Sequence, residues 1–326
     1  MSKKRRKGKP RSGYRAPAQP SAATVTKRSE PVPRAGAAAN RREVPPLLGF
    51  LSRGTGDSPF PPIPQAIGRG AVAVGSSLAL LVIAFLLEMV LWAGLVALGL
   101  EGPPGRLVNL LALPPVSTYF DALNGVTIYG FGIAGFVAAT LFIALRALVL
   151  AVLAGLVVQT LEGGGSSREG LRRGLAAFPT VLVVGVLTLS FMIVGSVILP
   201  VLGPGLGFLG SVLTLVAALF FLVYAPVAAV REARPVLDTI RRSGRAAMMP
   251  GSRHLLLCML YIFLTLPILV AVAPGGNLLG VNPSIAMWAY GLVTTFVHLT
   301  FLAAFAYRWM AAEAEVPETP VRLRRR

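Results

Sequence analysis

The sequence predicts an all-α, polytopic membrane protein: about six transmembrane helices, short amphipathic helices at one face, and three helical-hairpin units. Three observations carry that prediction. Hydrophobic residues make up 55% of the 326-residue chain and charged residues 13%. An ordinary globular domain has about 45–50% and about 25%, so there are too few charges here to cover a soluble surface. Mean hydropathy is +0.71, and the apolar residues fall in long blocks instead of at the spacing of a soluble core. Finally, arginine alternates between the loops, rich in one and nearly absent from the next.

A hydrocarbon core requires roughly 20 apolar residues per helix. Six runs qualify: residues 71–98, 137–158, 180–202, 206–230, 254–272 and 284–307. The second has an apolar extension back to Ile128, which a tilted or projecting helix accommodates. Gly203-Pro204-Gly205 separates the third and fourth runs as a tight turn. Pro226 and Pro267 are placed to kink the fourth and fifth. The first run begins too deep for a cleaved leader and reads as an uncleaved first span.

Lysine and arginine outnumber acids 31 to 13, a formal charge of +18. Such a charge suits nucleic acid or anionic lipid, so its placement decides. The tail opens with Lys3-Lys4-Arg5-Arg6-Lys7, and the segment after span two carries Arg168, Arg172 and Arg173. The segment after span four carries Arg231, Arg234, Arg241, Arg242, Arg245 and Arg253. The C-terminal tail carries Arg308, Arg322 and Arg324 to Arg326, whereas the alternate loops hold only Arg106. By the positive-inside rule both termini are cytoplasmic, and the number of spans is even. The expected location is the inner or plasma membrane. The expected partners are anionic lipid headgroups, with a second copy or another membrane protein left open and no specific nucleic acid. Residues 1–61 read as a disordered basic Pro/Ala-rich tail, 62–308 as the membrane domain and 309–326 as a short tail. Trp309 fits an interfacial anchor.

A repeat lies within the basic segments. Glu169-Gly-Leu-Arg172-Arg173-Gly174 precedes span three and Asp238-Thr-Ile-Arg241-Arg242-Ser243 precedes span five. Both read acid, any, aliphatic, Arg, Arg, small. Gln65-Ala-Ile67-Gly-Arg69-Gly70, before span one, keeps the aliphatic, the second arginine and the small residue. Ser166 with Glu169 makes a capping box, and Glu169–Arg173 and Asp238–Arg242 are i,i+4 pairs in the favourable order. Leu171, Leu175 and Phe178 share one face, and Val236, Leu237, Ile240 and Ala247 another, with arginines opposite, as in a helix lying on a membrane. Arg69, Arg172, Arg173, Arg241, Arg242 and Arg245 are therefore the candidate surface for lipid or a partner. Positive-inside placement alone also explains the arginines, but not the matched acid and small residue.

The stretch Tyr224-Ala-Pro226-Val-Ala-Ala-Val-Arg-Glu232, running through Ile240-Arg-Arg-Ser243 into span five, resembles the YciC-type bacterial membrane proteins. That family includes the membrane domain appended to some glycerophosphodiester phosphodiesterases. The likeness covers residues 62–308, and Met248-Met249-Pro250 departs from its usual polar stretch. The resemblance implies a six-helix all-α fold and little about activity. The phosphodiesterase reaction belongs to a separate soluble barrel, for which this chain has no room.

Catalytic chemistry finds little foothold. His254, His298 and the single cysteine, Cys258, form no metal-ligand spacing, and no nucleophile is paired with a base. The expectation is no enzyme, no cofactor and no metal. Gly205-Leu-Gly207-Phe-Leu-Gly210 matches a dinucleotide fingerprint by letter but joins two membrane helices, without the strand that motif needs. Two charges lie inside spans, Glu88 in the first and Arg146 in the second, each costing ~2.5–3.5 kcal/mol on insertion scales. At matching depth in antiparallel helices they are a candidate ion pair, fixing helix register or serving transport, with no contact between them as the third reading. His298, Asn277 and Tyr261 could extend a polar pathway or bond neighbouring helices. Ala147, Ala151 and Gly155 form a small-residue stripe that packs another helix. Three functions compete: a non-enzymatic scaffold or regulator on anionic lipid, a small-solute or ion transporter using Glu88 and Arg146, and an intramembrane lipid enzyme.

Overall fold

Helix is the regular structure of the computed structural model over the residues it describes: 58–98, 133–163, 166–195, 199–232, 234–271 and 283–317. All lie in the larger of two units of the chain, Pro45–Arg326. The basic tail through residue 57, the loop carrying Arg106, Asn277 and the last arginines fall outside them. The helices are α1 (Ile63–Gly75), α2 (Leu78–Ala97), α3 (Ile133–Leu161), α4 (Ser167–Ile193), α5 (Leu199–Leu202), α6 (Pro204–Leu222), α7 (Ala225–Arg231), α8 (Val236–Ala247), α9 (His254–Ala271) and α10 (Pro283–Ala312). Hydrocarbon offers no water to the backbone, so segments this apolar satisfy their amides internally as helix.

This is a polytopic, all-α membrane protein. Four helical stretches are long and apolar enough to cross a membrane: 133–161, 167–191, 212–231 and 291–312. A fifth is added if α1 and α2, bent 86° to one another, count as one span. The fifth predicted span appears as α9, apolar over the shorter stretch His254–Thr265. The described residues thus carry four or five crossing helices, where the sequence count gives six. At ~1.5 Å per residue α3 is about 43 Å long, the excess that its apolar extension predicts. Pro226 falls where α6 gives way to α7. Gly203 takes a φ of 154° ahead of Pro204, forming the turn into α6.

Helices meet closest where glycine removes the side chain. A Cβ on Gly174 would stand 2.5 Å from the Ala151 carbonyl oxygen and 2.9 Å from Val152 Cα, and one on Gly155 would strike the backbone of Gly170 and Gly174. The stripe of Ala151 and Gly155 therefore receives the head of α4. Just past the far end of α4 the chain makes a second close crossing, where a Cβ on Gly195 would lie 2.7 Å from the Gly210 carbonyl oxygen and 2.5 Å from Thr214 Oγ1. Gly210 of the supposed dinucleotide fingerprint is thus a packing residue inside α6.

Each repeat copy begins a helix, but not the same kind. α1 and α8 are short and separate, whereas the second copy is fused to its span, since α4 runs unbroken through Pro179. In all three copies the second and sixth positions are small and buried: Ala66 and Gly70, Gly170 and Gly174, Thr239 and Ser243. Gly70 abuts the backbone of α10 at Thr300 and Ala304, and Gly174 abuts α3. Ser243 donates a 2.7 Å hydrogen bond to the Phe221 carbonyl oxygen of α6. Positions four apart share a helix face, so this pair is what seats each copy on a neighbouring long helix.

Candidate functional site

The basic end of the bundle is held by an ionic network that joins five helix ends. Arg173, in the first turns of α4, reaches Glu162 at 2.8 Å and Glu169 at 2.9 Å. Arg231, the last residue of α7, pairs with both Glu162 and Glu313. Arg242 of α8 lies 3.1 Å from Glu232 and donates to the Glu313 carbonyl oxygen, while its guanidinium sits over the Trp309 ring at 5.9 Å. Arg234 adds a 2.8 Å contact to Glu232. Burial pushes the Glu232 carboxyl up from its ordinary range, and the Arg242 and Arg234 guanidinium groups oppose that shift.

This network divides the six arginines that the sequence groups as one surface. Arg69 is exposed, and the Arg172 and Arg241 side chains are 78% and 66% exposed. Arg242 is buried at 7%, Arg173 is turned to two glutamates, and Arg245 donates to the Pro317 carbonyl oxygen at 2.9 Å. Arg242 is a buried tie, which takes it out of the expected lipid or partner surface, whereas Arg173 and Arg245 are half-buried and hydrogen-bonded. The paired acids also differ from the sequence spacing. Glu169 pairs with Arg173 as the i,i+4 spacing predicts. Asp238 instead approaches Arg241 at 3.9 Å while Arg242 turns inward. Ser166 occupies the N-cap position without a side-chain capping bond: the Glu169 amide donates at 2.8 Å to the Ser166 carbonyl oxygen, and the Glu169 carboxylate is taken by the two arginines.

Trp309 is also corrected. It is fully buried, 5.6 Å from the Tyr224 ring, so it is a core residue and not an interfacial anchor. The chain stays packed beyond it, through Ala312 to Val316. Around Trp309 lies a polar-aromatic cluster. The Tyr224 ring stacks on His254 at 4.5 Å, and His254 Nε2 donates to the Phe220 carbonyl oxygen at 3.0 Å. Arg308 is buried beneath the Phe60 ring at 5.1 Å and donates to the Ser252 carbonyl oxygen. Cys258 Sγ lies 3.5 Å from His254 Nε2.

Deeper in the bundle, Glu88 and Arg146 are both buried, at 0% and 4% exposure. Thr295 of α10 donates to Glu88 Oε2, whereas Arg146 lines a cavity bounded by α3, α4 and α6. Thr295 is thus the partner shown for Glu88, and it comes from α10. A 2.8 Å hydrogen bond joins Tyr261 Oη and His298 Nδ1, linking α9 to α10 as the helix-bonding alternative expects. Among the described residues no three His, Cys, Asp or Glu side chains cluster as metal ligands.

Sequence reasoning missed Glu162 and Glu313 and the inward turn of Arg308. A usable sign exists for the acids. Only 13 occur in the chain, so an acid at the arginine-rich end of a span is a pairing candidate by scarcity alone. No family model matches the chain, and neither the curated proteins nor the solved structures include one that matches it.

Proposed function

We propose that this chain is a non-enzymatic multi-pass membrane protein of the YciC type. Its basic end faces the cytoplasm and engages anionic lipid headgroups as a scaffold or regulator. One observation carries the reading. In each repeat copy, a solvent-facing arginine stands within one helical turn of an exposed aliphatic side chain: Arg69 with Val72, Arg172 with Leu175, and Arg241 with Leu237. Exposed cation beside exposed aliphatic is the chemistry of a helix at the headgroup boundary. Each such arginine contributes about 1 kcal/mol near an anionic surface. The buried Arg242 and the half-buried, bonded Arg173 and Arg245 supply rigidity, holding the helix ends that present these pairs.

The test is the lipid that accompanies the full-length protein extracted in mild detergent, measured by mass spectrometry. Replacing Arg69, Arg172 and Arg241 by glutamine lowers the anionic share of bound phospholipid while the protein remains monodisperse. An unchanged share with intact protein overturns the reading. The burial of Glu88 and Arg146 favours a second reading, a small-solute or ion pathway. That pathway requires water at Glu88, and single cysteines placed along α2 in a Cys258→Ser background would then react with water-soluble maleimides.

A further inference from the structure

The buried polar side chains of α9 and α10 fall into one column. His254, Cys258 and Tyr261 share one face of α9, and Thr295 and His298 share one of α10, by the spacing of three or four that stacks side chains on a helix. All five are buried. Three contacts link them to one another and to α2. Cys258 Sγ lies 3.5 Å from His254 Nε2, Tyr261 Oη lies 2.8 Å from His298 Nδ1, and the Thr295 hydroxyl donates to Glu88 Oε2. At ~1.5 Å per residue, His254 to Tyr261 covers about 10 Å of α9. The column starts at the basic end of the bundle, beside Arg308 on the Ser252 carbonyl oxygen. It stops at Glu88, the one buried acid among the described residues.

Each member carries a hydrogen that exchanges. A hydroxyl both donates and accepts, and an imidazole takes a proton on one ring nitrogen while releasing one from the other. A proton moves between hydrogen-bonded atoms and needs no cavity, which suits a column set in the same apolar core as Leu257, Leu299, Leu302 and Phe305. Bonding helices together needs one bond per crossing; it does not need the bonds aligned on shared faces and ending on an acid. As an anion a buried acid is costly among apolar helices, and Thr295 brings it a hydroxyl and no charge. We propose that Glu88 holds an exchangeable proton and trades it with the basic end of the bundle through Thr295, His298, Tyr261, Cys258 and His254. This rests on the second reading above in taking Glu88 as an ion site, and it names the ion as a proton. Inbound, a proton enters at His254, one proton moves along every link, and Glu88 passes from carboxylate to acid; outbound, the same hops reverse. The links within a helix, Cys258 to Tyr261 and His298 to Thr295, span one turn, roughly 5–6 Å between Cβ atoms, which a side-chain rotation closes.

The experiment uses the full-length protein in nanodiscs, with glutamate isotope-labelled at its carboxyl so that the infrared band of a protonated glutamate is assigned. After a rapid switch to heavy water, that band shifts well ahead of backbone amide exchange in α2. The absence of the band, or a shift no faster than those amides, overturns the proposal, and this arm needs no variant to fold. Tyr261→Phe removes the hydroxyl in the middle of the column and slows the carboxyl shift about tenfold, the equivalent of one lost hydrogen bond. An unchanged or faster shift overturns the proposal, because losing a bond that only held helices together leaves Glu88 exchanging as before or more freely. Maleimide labelling along α2 reports on the wider pathway separately. Labelling with no dependence of the carboxyl shift on Tyr261 keeps that pathway and overturns the column. A Tyr261-dependent shift without labelling supports the column and removes the solute pathway.

Discussion

The second and third repeat copies share an acid, two arginines and a small residue, yet use them differently. At the head of α4, Glu169 clasps Arg172 and Arg173 along one helix face. In α8 the matching acid leaves Arg242 free to turn inward, where Glu232 and the Glu313 carbonyl oxygen hold it under Trp309. The small positions also differ in depth of contact. Gly174 lies against bare α3 backbone, while Ser243 keeps a side chain and spends it on a hydrogen bond to α6. The shared element is therefore geometric, a pair of small residues that seats a helix. The charges around that pair are free to form either a local clasp or a long-range tie.

Exchanging the two small residues gives the largest expected effect. Gly174→Ser places a Cβ against the Ala151 carbonyl and Val152 Cα, backbone atoms that cannot step aside. The variant loses the monodisperse peak of the detergent-solubilised protein on size-exclusion chromatography; a wild-type profile would break the comparison. Next comes Arg242→Gln, which leaves Glu232 and the Glu313 carbonyl without their buried cationic partner. It costs about 2–3 kcal/mol, read as a lower midpoint in detergent-induced unfolding. Ser243→Ala removes one buried hydrogen bond and costs about 1 kcal/mol on the same assay. Glu169→Gln breaks an exposed clasp and leaves the midpoint unchanged within error. A loss as large as that of Arg242→Gln would mean the two clasps are equivalent after all.

What was legible in the sequence followed from composition and period. Runs of Leu, Val and Ala long enough to cross hydrocarbon located α3, α4, α6–α7 and α10 without any knowledge of contacts. The Ala151/Gly155 stripe was legible as packing because its spacing states its face, though its partner, Gly170 and Gly174, was not. The site was harder. Arg172 and Arg242 look alike in sequence, and their different fates depend on whether an acid from a distant segment, Glu232 or Glu313, comes within reach. The sequence places Glu88 and Arg146 at similar distances from one end of their runs, but rotation about each helix axis decides a residue's neighbours, such as Thr295 beside Glu88, and apolar helices have no polar face from which rotation can be read. The fusion of the second copy to its span turned on Pro179 being accommodated inside α4, which a local rule against helix-interior proline would not foresee.

One contact bears on how the chain is made. α1, near the start of the described chain, is seated by Gly70 on Thr300 and Ala304 of α10, the last helix. During synthesis α1 and its buried face, Ile63, Ala66 and Val74, must wait for α10 to leave the ribosome. At roughly 5–20 residues per second that delay is on the order of ten to fifty seconds. The described helices therefore close like a clasp, α1 meeting α10 last. A ribosome stalled before α10 holds a chain whose α1 lacks its main seat, a natural substrate for membrane quality control.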